Sequence, residues 1–270
     1  MPSCVNCYMN DVLKQKKVLV TRPAEQAEKL CALIEARGGQ AIKLPVVDIR
    51  PARKNEALQK LTGGLKKYQI GIFISRNAVK HTLILLKHDI KALKHLKIMA
   101  TGQATAAILQ KNGITDVIHA GAYAESEALL ELPELQSSEI TGRNIIIFRG
   151  IGGRELLAET LRARGAKVDY AEVYERIPVQ YTKPELDAVW SNQKLDYVVI
   201  TSSESLQNLF DMLSSEQRNI MLDTNIIVFG KRMSELAIKL GFRKTPLIAH
   251  EMSDNGLLQA IMHQDGENSS

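Results

Sequence analysis

VLVTRPAEQAEKLCALIEARGGQAIKLPVVDIRP, residues 18–51, lies over IIIFRGIGGRELLAETLRARGAKVDYAEVYERIP, residues 145–178, at a constant offset of 127 and without a gap. Eight of the 34 pairs are identical, among them Arg22/Arg149, Glu28/Glu155, Gly38/Gly165 and Pro51/Pro178, and most apolar positions stay apolar. Self-similarity at a fixed spacing implies two related halves. The echo continues downstream: Phe73-Ile74-Ser75 returns as Ile200-Thr201-Ser202, again 127 apart, and Ala100-Thr101-Gly102 as Val228-Phe229-Gly230 at 128. Each time a short β-rich run ends in a small or polar residue and a helix-period segment follows, which is the order strand, tight turn, helix. Strands alternating with helices imply parallel βαβ units.

The first strand covers 18–21, with Pro23 in the first turn of a helix that runs to Arg37 and stops at Gly38-Gly39. Residues 41–50 and 168–177 then form extended stretches longer than a central strand needs, each closed by proline. Two such stretches read as two crossings between domains, where a simple tandem would need one. The expected division is a discontinuous domain 1, residues 1–48 plus 177–270, with domain 2, residues 49–176, inserted and linkers near 45–51 and 171–178. Domain 1 takes strands at 18–21, 41–44, 197–201, 226–229 and 247–249; domain 2 takes 70–74, 97–101, 116–118, 144–148 and 168–170. Five short parallel strands with helices on both faces match a flavodoxin-like count, so the expected class is α/β with two doubly wound parallel sheets. The polar tail 263–270 is expected to be disordered.

A chain of 270 residues with 45% apolar composition can bury real cores. Its longest apolar runs, such as 83–86, fall far short of the ~20 residues a membrane crossing needs. The opening MPSCVNCYMNDVLKQKK has no apolar signal region, and with three cysteines in all this points to the cytoplasm. Cys4-x-x-Cys7 has no second pair to complete a zinc site and reads as a leader. Cys31 falls on the apolar stripe of the first helix, as a buried thiol would. The net charge of +5 favours an anionic partner. Basic residues scattered among acids, with 5% aromatics, suit a small polyanion better than nucleic acid.

In open parallel sheets ligands bind at the carboxyl ends of strands. Those ends carry Thr21-Arg22, Thr201-Ser202-Ser203 and Gly230 in domain 1, and Ser75-Arg76-Asn77, Thr101-Gly102 through Thr105, and Arg149-Gly150 in domain 2. Helix-start N–H groups, hydroxyls and an arginine fork make a carboxylate or phosphate cradle. A serine at a helix start also reads as an N-cap. Arg149-Gly-Ile-Gly-Gly-Arg fails as a dinucleotide motif because Glu155 stands where the third glycine belongs, and Gly230-Lys231 lacks the rest of a P-loop. His81, His88 and His95 recur every seven residues without a ligand set for metal and read as solvated helix positions. Tyr174, within Glu172-Val-Tyr-Glu-Arg176, either projects its phenol from a linker into the space between domains or packs one face of a β ladder.

With these residues assembled, the chain resembles the uroporphyrinogen-III synthases from Lys17 to Ile261. The resemblance rests on Val-Thr-Arg-Pro at 20–23, Phe-Ile-Ser-Arg-Asn-Ala-Val at 73–79, Ala-Thr-Gly-Gln-Ala-Thr-Ala at 100–106, Arg-Gly-x-Gly-Gly-Arg-Glu-Leu-Leu at 149–157, Val-Tyr-Glu-Arg at 173–176, Thr-Ser-Ser at 201–203 and Val-Phe-Gly at 228–230, in that order and spacing. It implies two flavodoxin-like domains joined by a two-stranded β-ladder linker. It also implies a cofactor-free, metal-free lyase that cyclises hydroxymethylbilane, an octacarboxylate, with inversion of ring D and loss of water. In that chemistry the hydroxyl leaves to give an azafulvene cation, the terminal ring is attacked at its substituted carbon, and the spiro intermediate reopens and closes inverted. The protein then chiefly holds the substrate in its curl.

On this resemblance Tyr174 is the proton donor to the leaving hydroxyl. Arg22, Ser75, Thr105, Arg149, Ser202 and Ser203 bind acetate and propionate groups, while Gly102 and Gly230 allow close backbone approach. Arg22 and Arg149 are expected to grip one ligand from opposite sides. The implied partners are the bilane and the upstream deaminase that hands it over, with no nucleic acid or membrane and a monomeric chain. One departure stands out: the family's second Gly-x-x-Thr-Ala is here Gly230-Lys-Arg-Met233-Ser234. The competing readings are a two-lobed small-polyanion binding protein and a catalytically lapsed relative.

Overall fold

A computed structural model describes residues 12–52, 64–121, 126–190 and 194–267. Cys4 and Cys7 lie outside them. The strands are β1 (Lys17–Val20), β2 (Gln40–Lys43), β3 (Val47–Pro51), β4 (Ile70–Phe73), β5 (Lys97–Ala100), β6 (Val117–His119), β7 (Asn144–Gly150), β8 (Lys167–Pro178), β9 (Tyr197–Ile200), β10 (Asn225–Phe229) and β11 (Leu247–Ala249). The α-helices are α1 (Ala24–Glu35), α2 (Arg76–Leu85), α3 (Gln103–Lys111), α4 (Ser126–Leu130), α5 (Ser137–Ile140), α6 (Leu156–Ala163), α7 (Lys183–Trp190), α8 (Ser203–Met212), α9 (Ser215–Leu222), α10 (Gly230–Lys239) and α11 (Asp254–Glu267). The class is α/β with parallel sheets. The chain divides into two units, Met1–Asp48 with Ile177–Ser270, and Ile49–Arg176.

The first unit holds a five-stranded sheet in the order β11-β10-β9-β1-β2, with every pairing parallel. One face of it packs Val18, Val20, Tyr197, Val199 and Ile227 against Leu30 and Ile34 of α1 and Leu257 and Ile261 of α11. The alternate residues Leu19, Val198, Ile226 and Val228 are buried too, so both faces are covered. That is why these strands read as continuous apolar runs.

The second unit is built on the order β3-β8-β7-β4-β5-β6. Phe73, Phe148, Ala171 and Val173 pack on one face with Val79 and Leu83 of α2 and Leu109 of α3. Ile70, Ile72, Ile145 and Ile147 pack on the other with Leu129 of α4, Ile140 of α5 and Leu161 of α6. Phe73 and Phe148 stack at 4.2 Å across the β4/β7 pair. Burial of each such aliphatic side chain contributes about 1.5–3 kcal/mol.

Several local expectations are corrected. The stretch 41–50, read as a strand at 41–44 running into a linker near 45–51, is β2 followed after Leu44-Pro45-Val46 by β3, a strand of the other sheet; Pro45 lacks the N–H a ladder uses. Pro23 sits at the N-cap of α1 and not inside its first turn. The tail is helical through Glu267, since α11 buries Leu257, Leu258 and Ile261 and its last turns continue that helix. In the second half of the repeat β7 runs on to Gly150, a glycine turn follows with Gly152 and Gly153 at φ 74° and 107°, and α6 starts at Leu156.

Candidate functional site

Ser75, at the tip of β4, caps α2: its hydroxyl accepts the Ala78 N–H at 3.1 Å. The same oxygen lies 3.2 Å from the phenol Oη of Tyr174. Tyr174 reaches it through an irregularity in the β7/β8 ladder, where Arg149 pairs with Glu172 but Gly150 pairs with Tyr174. The extra residue is Val173, and such a bulge re-aims the side chain that follows it. Strict alternation would send Val173 and Tyr174 to opposite faces. Both instead belong to the same buried cluster. Of the two sequence readings of Tyr174, the packed one describes its ring, which is 3% exposed.

Gly150 is glycine because of that ring. A Cβ placed there would lie 2.7 Å from Cε2 and Cζ of Tyr174. Tyr174 also meets His81 of α2, ring centroids 5.6 Å apart. His81 is 4% exposed, so the solvated reading of the histidine series is corrected at this position: it lies on the face of α2 turned to the core, while His88 is exposed beyond the helix end. The Arg176 guanidinium stands 5.9 Å from the Tyr174 ring centre.

Arg149, at the tip of β7, is 2% exposed and makes three hydrogen bonds. Its Nε donates to Gly150 O at 3.2 Å, Nη1 to Glu155 Oε1 at 2.9 Å, and Nη2 to Gly152 O. Its guanidinium lies 4.4 Å above the Tyr170 ring, whose hydroxyl donates to the other Glu155 oxygen. The Tyr170 hydroxyl, then Arg149, hold the Glu155 carboxyl below the usual glutamate range. Burial, then the Glu155 hydrogen bond, pushes the Tyr170 phenol up.

These tips border a cavity of ≈ 290 Å³ in the second unit, walled by Ser75, Thr101, Arg149, Tyr174, Arg154 and Arg176 among others. Among the described residues its wall carries three arginines and no carboxylate. An anion can bind there in exchange for the carboxylates that Arg149 and Arg154 now hold, Glu155 and Glu127, with one proton of the Ser75–Tyr174 hydroxyl pair as a further donor; the Thr101 hydroxyl donates to Ile74 O. Gly102, the N-cap of α3, and buried Thr105 sit at the neighbouring β5 tip and are outside that wall.

In the first unit the expected residues gather at the adjacent tips of β1, β9 and β10. Ser202 caps α8 by accepting the Ser205 N–H at 3.0 Å, and Ser203 opens that helix. Gly230 opens α10 at φ 74°, a conformation that favours glycine, with open space where a Cβ would go. Arg22 is 8% exposed and forms an ion pair with Asp254, the first residue of α11. Met233 is buried, and Ser234 beside it is 8% exposed.

The sequence reading did not single out Glu155, Tyr170, Arg176 or Asp254 for roles in the site. Glu155 had a signal, since it is one of the eight identities of the repeat; Asp254 had none beyond an acid at a helix start.

A family model described as uroporphyrinogen-III synthase HemD matches residues 28–259. The uroporphyrinogen-III synthase of Escherichia coli K12 is 31% identical over 246 residues, 90% of this chain and 99% of that protein. That of Salmonella typhimurium LT2 is 32% identical over the same share of each. Among solved structures, a mutant uroporphyrinogen III synthase from the extremely thermophilic bacterium Thermus thermophilus superposes with a TM-score of 0.63 at 17% identity, covering 94% of this chain and 99% of that one. The enzyme from Helicobacter pylori 26695 does so with 0.62 at 16%, covering 93% and 100%. At these identities the structural likeness establishes the α/β fold.

Proposed function

We propose, from the premise that the chain belongs to the uroporphyrinogen-III synthase family, that it cyclises hydroxymethylbilane with inversion of ring D and loss of water, as a lyase of tetrapyrrole biosynthesis. Tyr174 gives its phenolic proton to the departing hydroxyl as the C–O bond breaks, so that water leaves. The proton released when the inverted ring regains aromaticity restores the phenol. Ser75, 3.2 Å away, orients that phenol. Arg149, Arg154 and Arg176 hold substrate carboxylates at the cavity in the second unit; Arg22, Ser202, Ser203 and Gly230 do so in the first, and Gly102 and Thr105 shape the β5 tip. The observation that carries this reading is a tyrosine hydroxyl lodged in a cavity whose charged wall is entirely arginine among the described residues.

The finer architecture we read as two flavodoxin-like domains, residues 1–48 with 177–270 and 49–176, joined by a ladder of β3 and β8. The order β2-β1-β9-β10-β11 is the flavodoxin order 2-1-3-4-5 and supports that reading for the first domain, while β6-β5-β4-β7-β8 of the second takes its strands in the order 3-2-1-4-5, another doubly wound arrangement. We place the protein in the cytoplasm as a monomer that receives its bilane from the upstream deaminase. No helix among the described residues is long and apolar enough to cross a membrane.

Freshly generated hydroxymethylbilane, incubated with the protein and oxidised, should yield the type III porphyrin. Formation of the type I isomer alone overturns the reading.

A further inference from the structure

A guanidinium that is 2% exposed is favoured by a nearby counter-charge, because burying an unpaired ion costs free energy. Any ligand carboxylate that binds Arg149 therefore meets a guanidinium with three of its five N–H groups already bonded. Two of its three partners are backbone oxygens, of Gly150 and Gly152. The third is Glu155, whose side chain is 48% exposed and can swing into water by giving up its second bond, from the Tyr170 hydroxyl. Glu155 also closes the turn with consecutive positive-φ glycines, Gly152 and Gly153, and sits at the N-cap of α6 without capping it through its side chain. It is thus the one partner of Arg149 that can leave without breaking the fold.

We propose that Glu155 is an internal counter-carboxylate: it neutralises Arg149 while the cavity is empty, and a substrate carboxylate binds by competing with it. Glu155 is then a residue that sets affinity and discriminates among ligands. A carboxylate of the right reach displaces it; a neutral group of the same size does not. The first unit carries the same device in different residues, since the repeat-equivalent Arg22 is neutralised by Asp254. The identity of the ligand rests on the family reading above, while the exchange itself does not.

The test is equilibrium binding of uroporphyrin III, a stable octacarboxylate, to the full-length chain, followed by fluorescence. Glu155→Gln keeps the shape and removes the charge, and circular dichroism verifies its fold. Loss of one competing, half-exposed ion pair should tighten binding about two- to tenfold. In an Arg149→Gln background the same change should have no effect. Binding that is unchanged or weaker in Glu155→Gln overturns the proposal and makes Glu155 a support for Arg149. So does an equal gain in the Arg149→Gln background. Should the wild type make only the type I isomer from hydroxymethylbilane, the family reading fails, and the binding comparison still decides whether Glu155 competes.

Discussion

The phenol oxygen of Tyr174 lies 3.2 Å from the hydroxyl oxygen of Ser75, a residue 99 positions earlier whose own hydroxyl caps α2. A helix start, a bulged strand and a buried ring thus converge on one proton. Tyr174→Phe keeps the ring against His81 and Gly150 and removes the hydroxyl together with its bond to Ser75. Enzymatic turnover should fall by about 10²-fold, the lower end for a general acid, because a phenol is a weak one. Steady-state assays corrected for spontaneous closure measure this, and full turnover in the variant would refute the donor role.

Gly150→Ala places a methyl 2.7 Å from the Tyr174 ring. Overpacking at a buried contact of this kind costs about 1–3 kcal/mol. Thermal unfolding should show the loss, and turnover should fall with it if the displaced ring carries the proton donor proposed above. Gly152→Ala, where nothing lies within 4 Å of the added methyl, should show only the strain of a positive φ and leave the Tyr174 ring in place.

Arg149→Lys retains the charge and loses the fork that reaches Glu155 and two carbonyls at once. KM for hydroxymethylbilane should rise about tenfold, which is about 1.4 kcal/mol of lost carboxylate binding. A KM within a factor of about two of wild type would remove Arg149 from the binding set.

The carboxyl of Glu155 titrates lower in the folded chain than in the unfolded one. A depressed carboxyl contributes stability above its unfolded pKa, about 4.3, and that stability is lost as pH falls through the lower folded value. Because the group is half-exposed, the contribution is below about 1 kcal/mol. Wild type should therefore unfold slightly hotter than Glu155→Gln at about pH 7, and the gap should close on acidification below about pH 4. A gap that widens there contradicts the ion pair.

Cys31 is 2% exposed and burial pushes its thiol up from the ordinary value. In a Cys4→Ser/Cys7→Ser background a disulfide-exchange reagent at about pH 8 should label the protein only after unfolding, since the thiolate is the reactive form. Rapid labelling of the folded chain would show that α1 opens locally.

The strands were legible because they are short apolar runs buried on both faces. Residues 70–74, 97–101 and 144–148 were read as strands, and β4, β5 and β7 occupy nearly those spans. Ser75 and Ser202 were legible as residues at helix starts, and both do cap. The role of His81 was not, because a seven-residue spacing places it on a helix without saying which face meets the core. The packing of Tyr174 was not either, since a one-residue bulge is invisible to alternation.

The duplication itself and the family pattern are properties of the sequence: residue type and spacing determined them without reference to contacts. The partners of the two equivalent arginines are properties of the fold. By the repeat, Glu28 and Glu155 are the same residue, and Ala24, the first residue of α1, corresponds to Ile151. In the second half, however, the glycine turn delays the helix to Leu156, which brings Glu155 onto Arg149. In the first half the helix is already under way, so Glu28 faces outward to Lys43 and Arg22 takes Asp254 from α11. A short stretch that is loop in one half and helix in the other turns the same acid from a surface group into the counter-charge of a buried arginine, and only the path of the backbone decides which.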